Sequence, residues 1–130
     1  MRMRTGFVVL LGLLACGGCG KQKSTDELIG DLNAPQERDR LIAVRLLPEH
    51  RADAAKVIPA LIGALKNRAV DVRLSAAIGL GGFGDQAKDA IPALQEAQRD
   101  HDARVRQAAG VALSRIDPKF APKAAPPKKR

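Results

Sequence analysis

Apolar residues between Ala54 and Gly84 fall into two helical stripes. Val57, Ile58, Leu61, Ile62 and Leu65 occupy positions i, i+1, i+4, i+5 and i+8, which is one face of a helix. Val72, Ala76, Leu80 and Phe83 follow at i, i+4, i+8 and i+11, a second helix for which Asp71 is placed as the cap. Neither helix can bury its stripe alone, so the pair requires neighbours. The same pattern stands 33 residues away on each side. Leu28-Ile29-Gly30 and Leu32 align with Leu61-Ile62-Gly63 and Leu65, and Ile58-Pro59-Ala60-Leu61 aligns with Ile91-Pro92-Ala93-Leu94. Leu47, Leu80 and Leu113 form one column, Ala43, Ala76 and Ala109 another, and Arg40, Arg73 and Arg106 a third. One offset spans both junctions without a gap, which predicts three stacked two-helix units over about 24–50, 54–84 and 87–117.

The unit boundaries carry local signals. Ser24-Thr25-Asp26-Glu27 fits a capping box at the start of the first helix. Asn33-Ala34-Pro35 breaks that helix, with Pro35 suited to the first turn of the next. Leu41, Val44, Leu46 and Leu47 mark the second helix, and Pro48 ends it. After Asp117-Pro118 the periodicity stops, and 118–130 is a Pro- and Lys-rich tail expected to be disordered. The predicted class is all-α, a short superhelix of helix pairs over 24–117. An aromatic content of 2% argues against a β-sandwich or barrel, and 130 residues leave no room for a second core of useful size.

Asp71-Val72-Arg73, Ala76-Ala77, Leu80-Gly81 and Phe83-Gly84 resemble the second helix of a HEAT repeat, closest to the short subtype also found in phycobilisome lyases. Val105-Arg106, Ala108-Ala109, Leu113 and Ile116 repeat the resemblance. The first unit departs from it, with Asp39 in place of Val and Arg45 where Ile78 and Val111 stand. The resemblance implies second helices lining a concave face and a binding or scaffolding role. On that face Arg38, Leu41, Asp71, Leu74, Arg104 and Gln107 are the candidate partner-binding residues. The Arg40, Arg73, Arg106 column has two readings: it pins the stacking of units, or it grips an acidic partner.

Charge and the N-terminus add an anchor to this picture. The net charge is +8, yet all 14 acidic residues lie between Ser24 and Asp117. Arg2, Arg4, Lys21 and Lys23 precede the repeats, and Lys119, Lys123, Lys128, Lys129 and Arg130 follow them. The flanks therefore hold the surplus, and the near-neutral repeats do not suit nucleic acid. Arg2 and Arg4 followed by the apolar run Phe7–Leu14 form a targeting segment over 1–15, too short to span a bilayer. Leu13-Leu14-Ala15-Cys16 resembles the lipobox of bacterial lipoprotein signal peptides, which implies cleavage before Cys16 and acylation of its sulfur. Cys19 is the competing site. Residues 16–23 then form a flexible tether. Gly17, rather than Asp, after the acylated Cys implies a periplasm-facing outer-membrane location if the source is Gram-negative.

No catalytic or metal-binding constellation is visible. Cys16 and Cys19 make a C-x-x-C, but there is no second cysteine pair. Gly79-Leu80-Gly81-Gly82-Phe83-Gly84 satisfies G-x-G-x-x-G without the preceding strand that a dinucleotide site needs, so it reads as helix termination and close packing. His50 and His101 are the only histidines, each in an inter-helix segment beside acids. Ser24, Ser75 and Ser114 sit at a cap or in helices, with no nucleophile turn. The reading is a non-catalytic, membrane-anchored adaptor for a protein or peptide, with no cofactor. Two alternatives stay open: an enzyme subunit related to the lyases, and an envelope spacer contacting polyanions through its basic tail.

Overall fold

The computed structural model describes residues 22–123. The targeting segment, Cys16 and Cys19, most of the tether and the last seven residues lie outside them. Six α-helices alternate between two layers. The first helices of the pairs are α1 (Thr25–Asp31), α3 (Ala54–Ala64) and α5 (Ile91–Ala97); the second helices are α2 (Glu37–Leu46), α4 (Val70–Gly82) and α6 (Ala103–Ile116). Each second helix packs on its own first helix, and α4 also packs against α2 on one side and α6 on the other. That is the all-α superhelical arrangement of helix pairs anticipated above. No strand occurs among the described residues, and no helix among them is long and apolar enough to cross a membrane.

The core lies between the layers and is built from the register columns. Leu28, Leu61 and Leu94 from the first helices and Leu47, Leu80 and Leu113 from the second-helix segments are all fully buried. Burying one such leucine stabilises by about 1.5–3 kcal/mol, so each unit depends on the surface its neighbour covers. Small residues set the helix spacing. A Cβ on Gly81 would stand 3.0 Å from Ala112 Cα, and one on Gly79 would stand 2.8 Å from Pro48 Cγ. Both glycines lie inside α4, and Gly84 follows it at φ +58. The glycine-rich run is thus packing surface and turn.

The helix starts follow the sequence in one case and depart from it in others. Ser24 and Glu27 form the capping box: Ser24 N donates to Glu27 Oε2 at 2.8 Å and Glu27 N donates to Ser24 Oγ at 3.3 Å. Asp71 is not the cap of α4. The N-cap is Ala69, without a side-chain bond, and Asp71 falls in the first turn, where its charge suits the helix dipole. Asn67 begins the turn instead, accepting from Ala69 N at 3.0 Å. Pro35 precedes the N-cap Gln36 rather than sitting in the first turn of α2. Pro59 lies inside α3, whereas the equivalent Pro92 is at the start of α5, because two 3-10 turns kinked at the non-helical Ala87 occupy Gly84–Ala90 in place of the earlier α-helical turn. Pro59 and Ala55, its i−4 residue, are both exposed, so the helix loses one backbone hydrogen bond at its surface rather than in the core. The tail is ordered at its root: Pro118–Phe120 forms a 3-10 turn, with Asp117 accepting from Lys119 N at 3.0 Å.

Candidate functional site

The loop between the helices of each pair is closed by the arginine column. Arg40 Nη1 donates to the carbonyls of Ala34 and Pro35 at 2.6 and 2.8 Å. Arg73 Nη1 does the same to Asn67 and Arg68 at 2.9 and 3.1 Å, and Arg106 Nη1 to Asp100 and His101 at 2.7 and 2.9 Å. Arg73 also reaches into the next unit. Its Nε and Nη2 donate to Asp100 Oδ2 and Oδ1 at 2.8 and 3.0 Å, a bidentate pair with side chains only 15% and 12% exposed. These hydrogen bonds hold the Asp100 carboxyl below its usual range and raise the Arg73 guanidinium. Arg40 is 5% exposed, and its Nε has no acceptor. Arg40 and Arg73 are therefore committed inside the fold: Arg40 closes the loop of its own unit, and Arg73 also ties its unit to the next. Arg106, in the last unit, is exposed.

The outer face of the second-helix layer is differently made. Ile78 is 56% exposed and Val111 is 45% exposed, one 33-residue step apart on α4 and α6. Between these helices lies an open groove of about 350 Å³, floored by Ala77, Gly81, Ala108 and Ala112 and bordered by Arg104, Gln107 and Arg115. A second groove, about 490 Å³, runs between α2 and α4 past Val44, Pro48, Ser75 and Gly79, with Arg45 and Arg115 at its edges. Leu74 and Ile78 line both, so they form the ridge between them. Volumes of this size suit side chains of a bound segment.

Of the six residues predicted on this face, Leu74, Arg104 and Gln107 line the groove between α4 and α6. Arg38 is exposed in the first turn of α2, and Leu41 is half-buried against the core. Neither lines these grooves. Asp71 pairs with Arg104 across the units at 3.4 Å, and Arg104 also bonds Asp102, whose carboxyl is held low by those bonds. Arg45, Ile78, Val111 and Arg115 also line the grooves and are not among the six. A signal for three of them existed: Arg45, Ile78 and Val111 each stand one helical turn after Leu41, Leu74 and Gln107.

A second polar cluster joins α1 to the loop before α3. The Thr25 hydroxyl donates to the Asp53 carboxylate and lies 2.9 Å from His50 Nδ1. Because the one hydroxyl proton goes to Asp53, His50 Nδ1 is the donor to Thr25. The imidazole therefore cannot take the Thr25 proton, and the hydroxyl is buried. The cluster fastens the N-terminal helix to the loop before α3. His101 is exposed, and no group of three or more metal-ligating side chains gathers among the described residues.

The sequence model of a family described as HEAT repeats matches residues 25–114. Comparison with curated proteins gave no match.

Proposed function

The chain belongs to the HEAT-repeat family, and we propose that it is a non-catalytic adaptor that binds a protein or peptide across the outer face of α2, α4 and α6. The observation that carries this reading is the exposed apolar ridge. Ile78 and Val111 occupy a register column that folding leaves open to solvent, and two grooves flank Ile78. Exposed apolar surface gathered beside grooves marks a contact site more often than scattered apolar residues do. HEAT repeats commonly act as protein-interaction scaffolds, which supports the same role. The adaptor is held at a cell-envelope membrane by lipid on Cys16. That part of the reading rests on Leu13-Leu14-Ala15-Cys16 and the apolar run before it.

The test is site-specific photocrosslinking in the native cell. A photoreactive residue at position 78 or 111 is expected to trap a discrete partner, while one at the exposed Glu96 on α5 does not. An Ile78→Asp plus Val111→Asp variant with an unchanged helical spectrum is expected to lose that partner. Equal trapping from positions 78 and 96, or an unchanged partner profile in the folded variant, would reject the reading.

A further inference from the structure

The two grooves share a charge pattern that narrows the partner. Three cations line them: Arg45 from α2, and Arg104 and Arg115 from α6. No carboxylate lines either one. Asp71, on the same layer, is already engaged by Arg104, and Glu49 lies outside both linings. Arg45 and Arg115 make no ion pair with any described residue, and both are exposed. Elsewhere the fold uses its arginines differently, since Arg40, Arg73 and Arg106 all spend donors on loop carbonyls. The pattern across the layer is therefore cation on α2, apolar ridge on α4, cation on α6.

Resting on the adaptor reading above, we infer that the bound segment is an apolar peptide carrying Asp or Glu side chains. Its apolar residues cover Leu74, Ile78 and Val111, and its carboxylates meet Arg45 and Arg115. Both cations border the groove between α2 and α4, so one segment can reach both. The span is at most two helix-packing distances, about 16–20 Å. That is about five or six residues of extended chain. A bare polyanion fits less well, because it leaves the ridge wet and gains only screened surface charge. Guanidinium geometry favours carboxylates through two parallel hydrogen bonds, whereas a cationic peptide meets uncompensated like charge.

Selection from a displayed random-peptide library against the immobilised full chain tests the inference. The comparison targets are Ile78→Asp, and Arg45→Glu plus Arg115→Glu, each checked for helicity. Peptides enriched on the native chain over the Ile78→Asp chain are expected to combine Leu, Ile or Phe with an excess of Asp and Glu. Their binding is expected to weaken about tenfold on the charge-reversed chain and to weaken with added salt. Selection on that chain is expected to turn toward Lys and Arg. Apolar, Ile78-dependent peptides without an acidic excess would overturn the inference and leave the adaptor reading standing. An acidic excess that survives charge reversal also overturns it. No Ile78-dependent enrichment would remove both.

Discussion

Replacing Asn67 by Asp should make the protein more stable. Asp100 accepts from Asp102 N at 2.9 Å and still presents both carboxylate oxygens to Arg73. Asn67 is its counterpart one unit earlier, and it accepts from Ala69 N in the same way. By the 33-residue offset, Asn67 corresponds to Asp100 and Arg40 to Arg73, but no hydrogen bond joins Asn67 to Arg40. Arg40 Nε is buried without a partner, and an amide at position 67 offers one acceptor oxygen where a carboxylate would offer two. Aspartate keeps the turn and turns an acceptor oxygen toward that donor. A hydrogen bond to a buried charged group is worth about 1.5–3 kcal/mol, and desolvating the new carboxylate takes part of that back. A net gain of about 1–2 kcal/mol follows. For a domain near 100 residues each kcal/mol moves the melting temperature by about 4–8 °C.

Thermal and urea unfolding followed by circular dichroism at neutral pH measure this directly. The gain should vanish when Arg40 is also changed to Met, since the carboxylate then has no guanidinium to meet. The reciprocal change, Asp100→Asn, should cost about 2–3 kcal/mol by leaving Arg73 with the deficit Arg40 now has. A neutral or destabilised Asn67→Asp chain, or an equal gain in the Arg40→Met background, would refute the reasoning.

Three further outcomes are expected. The Asp100 carboxyl titrates below its unfolded value, so its stabilisation is present above the ordinary carboxylate range, near pH 3.9, and is lost as pH falls through its folded pKa; acid unfolding of the Asp100→Asn chain should be correspondingly flatter on that limb. Gly84→Ala should cost about 1–2 kcal/mol because φ is +58 there, whereas Gly82→Ala, in helix and in ordinary contact with Arg51 Nη2 at 3.7 Å, should be neutral or stabilise by up to about 1 kcal/mol in the same melts. Cys16→Ser should move the protein into the soluble fraction after cell fractionation; continued membrane retention would point to Cys19 or another anchor.

The repeat register made the fold legible, because burial forces sameness. Leu28, Leu61 and Leu94 occupy one environment three times, as do Leu47, Leu80 and Leu113, and a smaller side chain at any of them leaves a cavity. The arginine clamps were harder to read, since their acceptors are carbonyls whose direction depends on the path of the loop. Asp71 misled for a related reason: an apolar stripe fixes which face is buried but not which residue begins the helix, and here Asn67 starts the turn three residues before Val70. The link among Thr25, His50 and Asp53 joins side chains 25 and 28 residues apart and leaves no local pattern.

The proposed contact face was hard to read because its residues imitate core. Ile78 and Val111 are as apolar as buried positions, and only the packing of α4 on α6 shows that they point away. A trace was nonetheless present in the columns that fail to repeat. Positions 41, 74 and 107 read Leu, Leu, Gln; positions 45, 78 and 111 read Arg, Ile, Val; positions 49, 82 and 115 read Glu, Gly, Arg. The exposed side chains among them, Arg45, Ile78, Val111 and Arg115, touch little of the fold, so substituting them costs little stability, whereas Leu41 and Leu74 also pack against the core. Divergence alone does not mark the surface, since Val44, Ala77 and Ala112 differ from their counterparts and are buried. It is divergence combined with exposure that brings together Ile78, Val111, Arg45 and Arg115, which with the half-buried Leu74 line the two grooves.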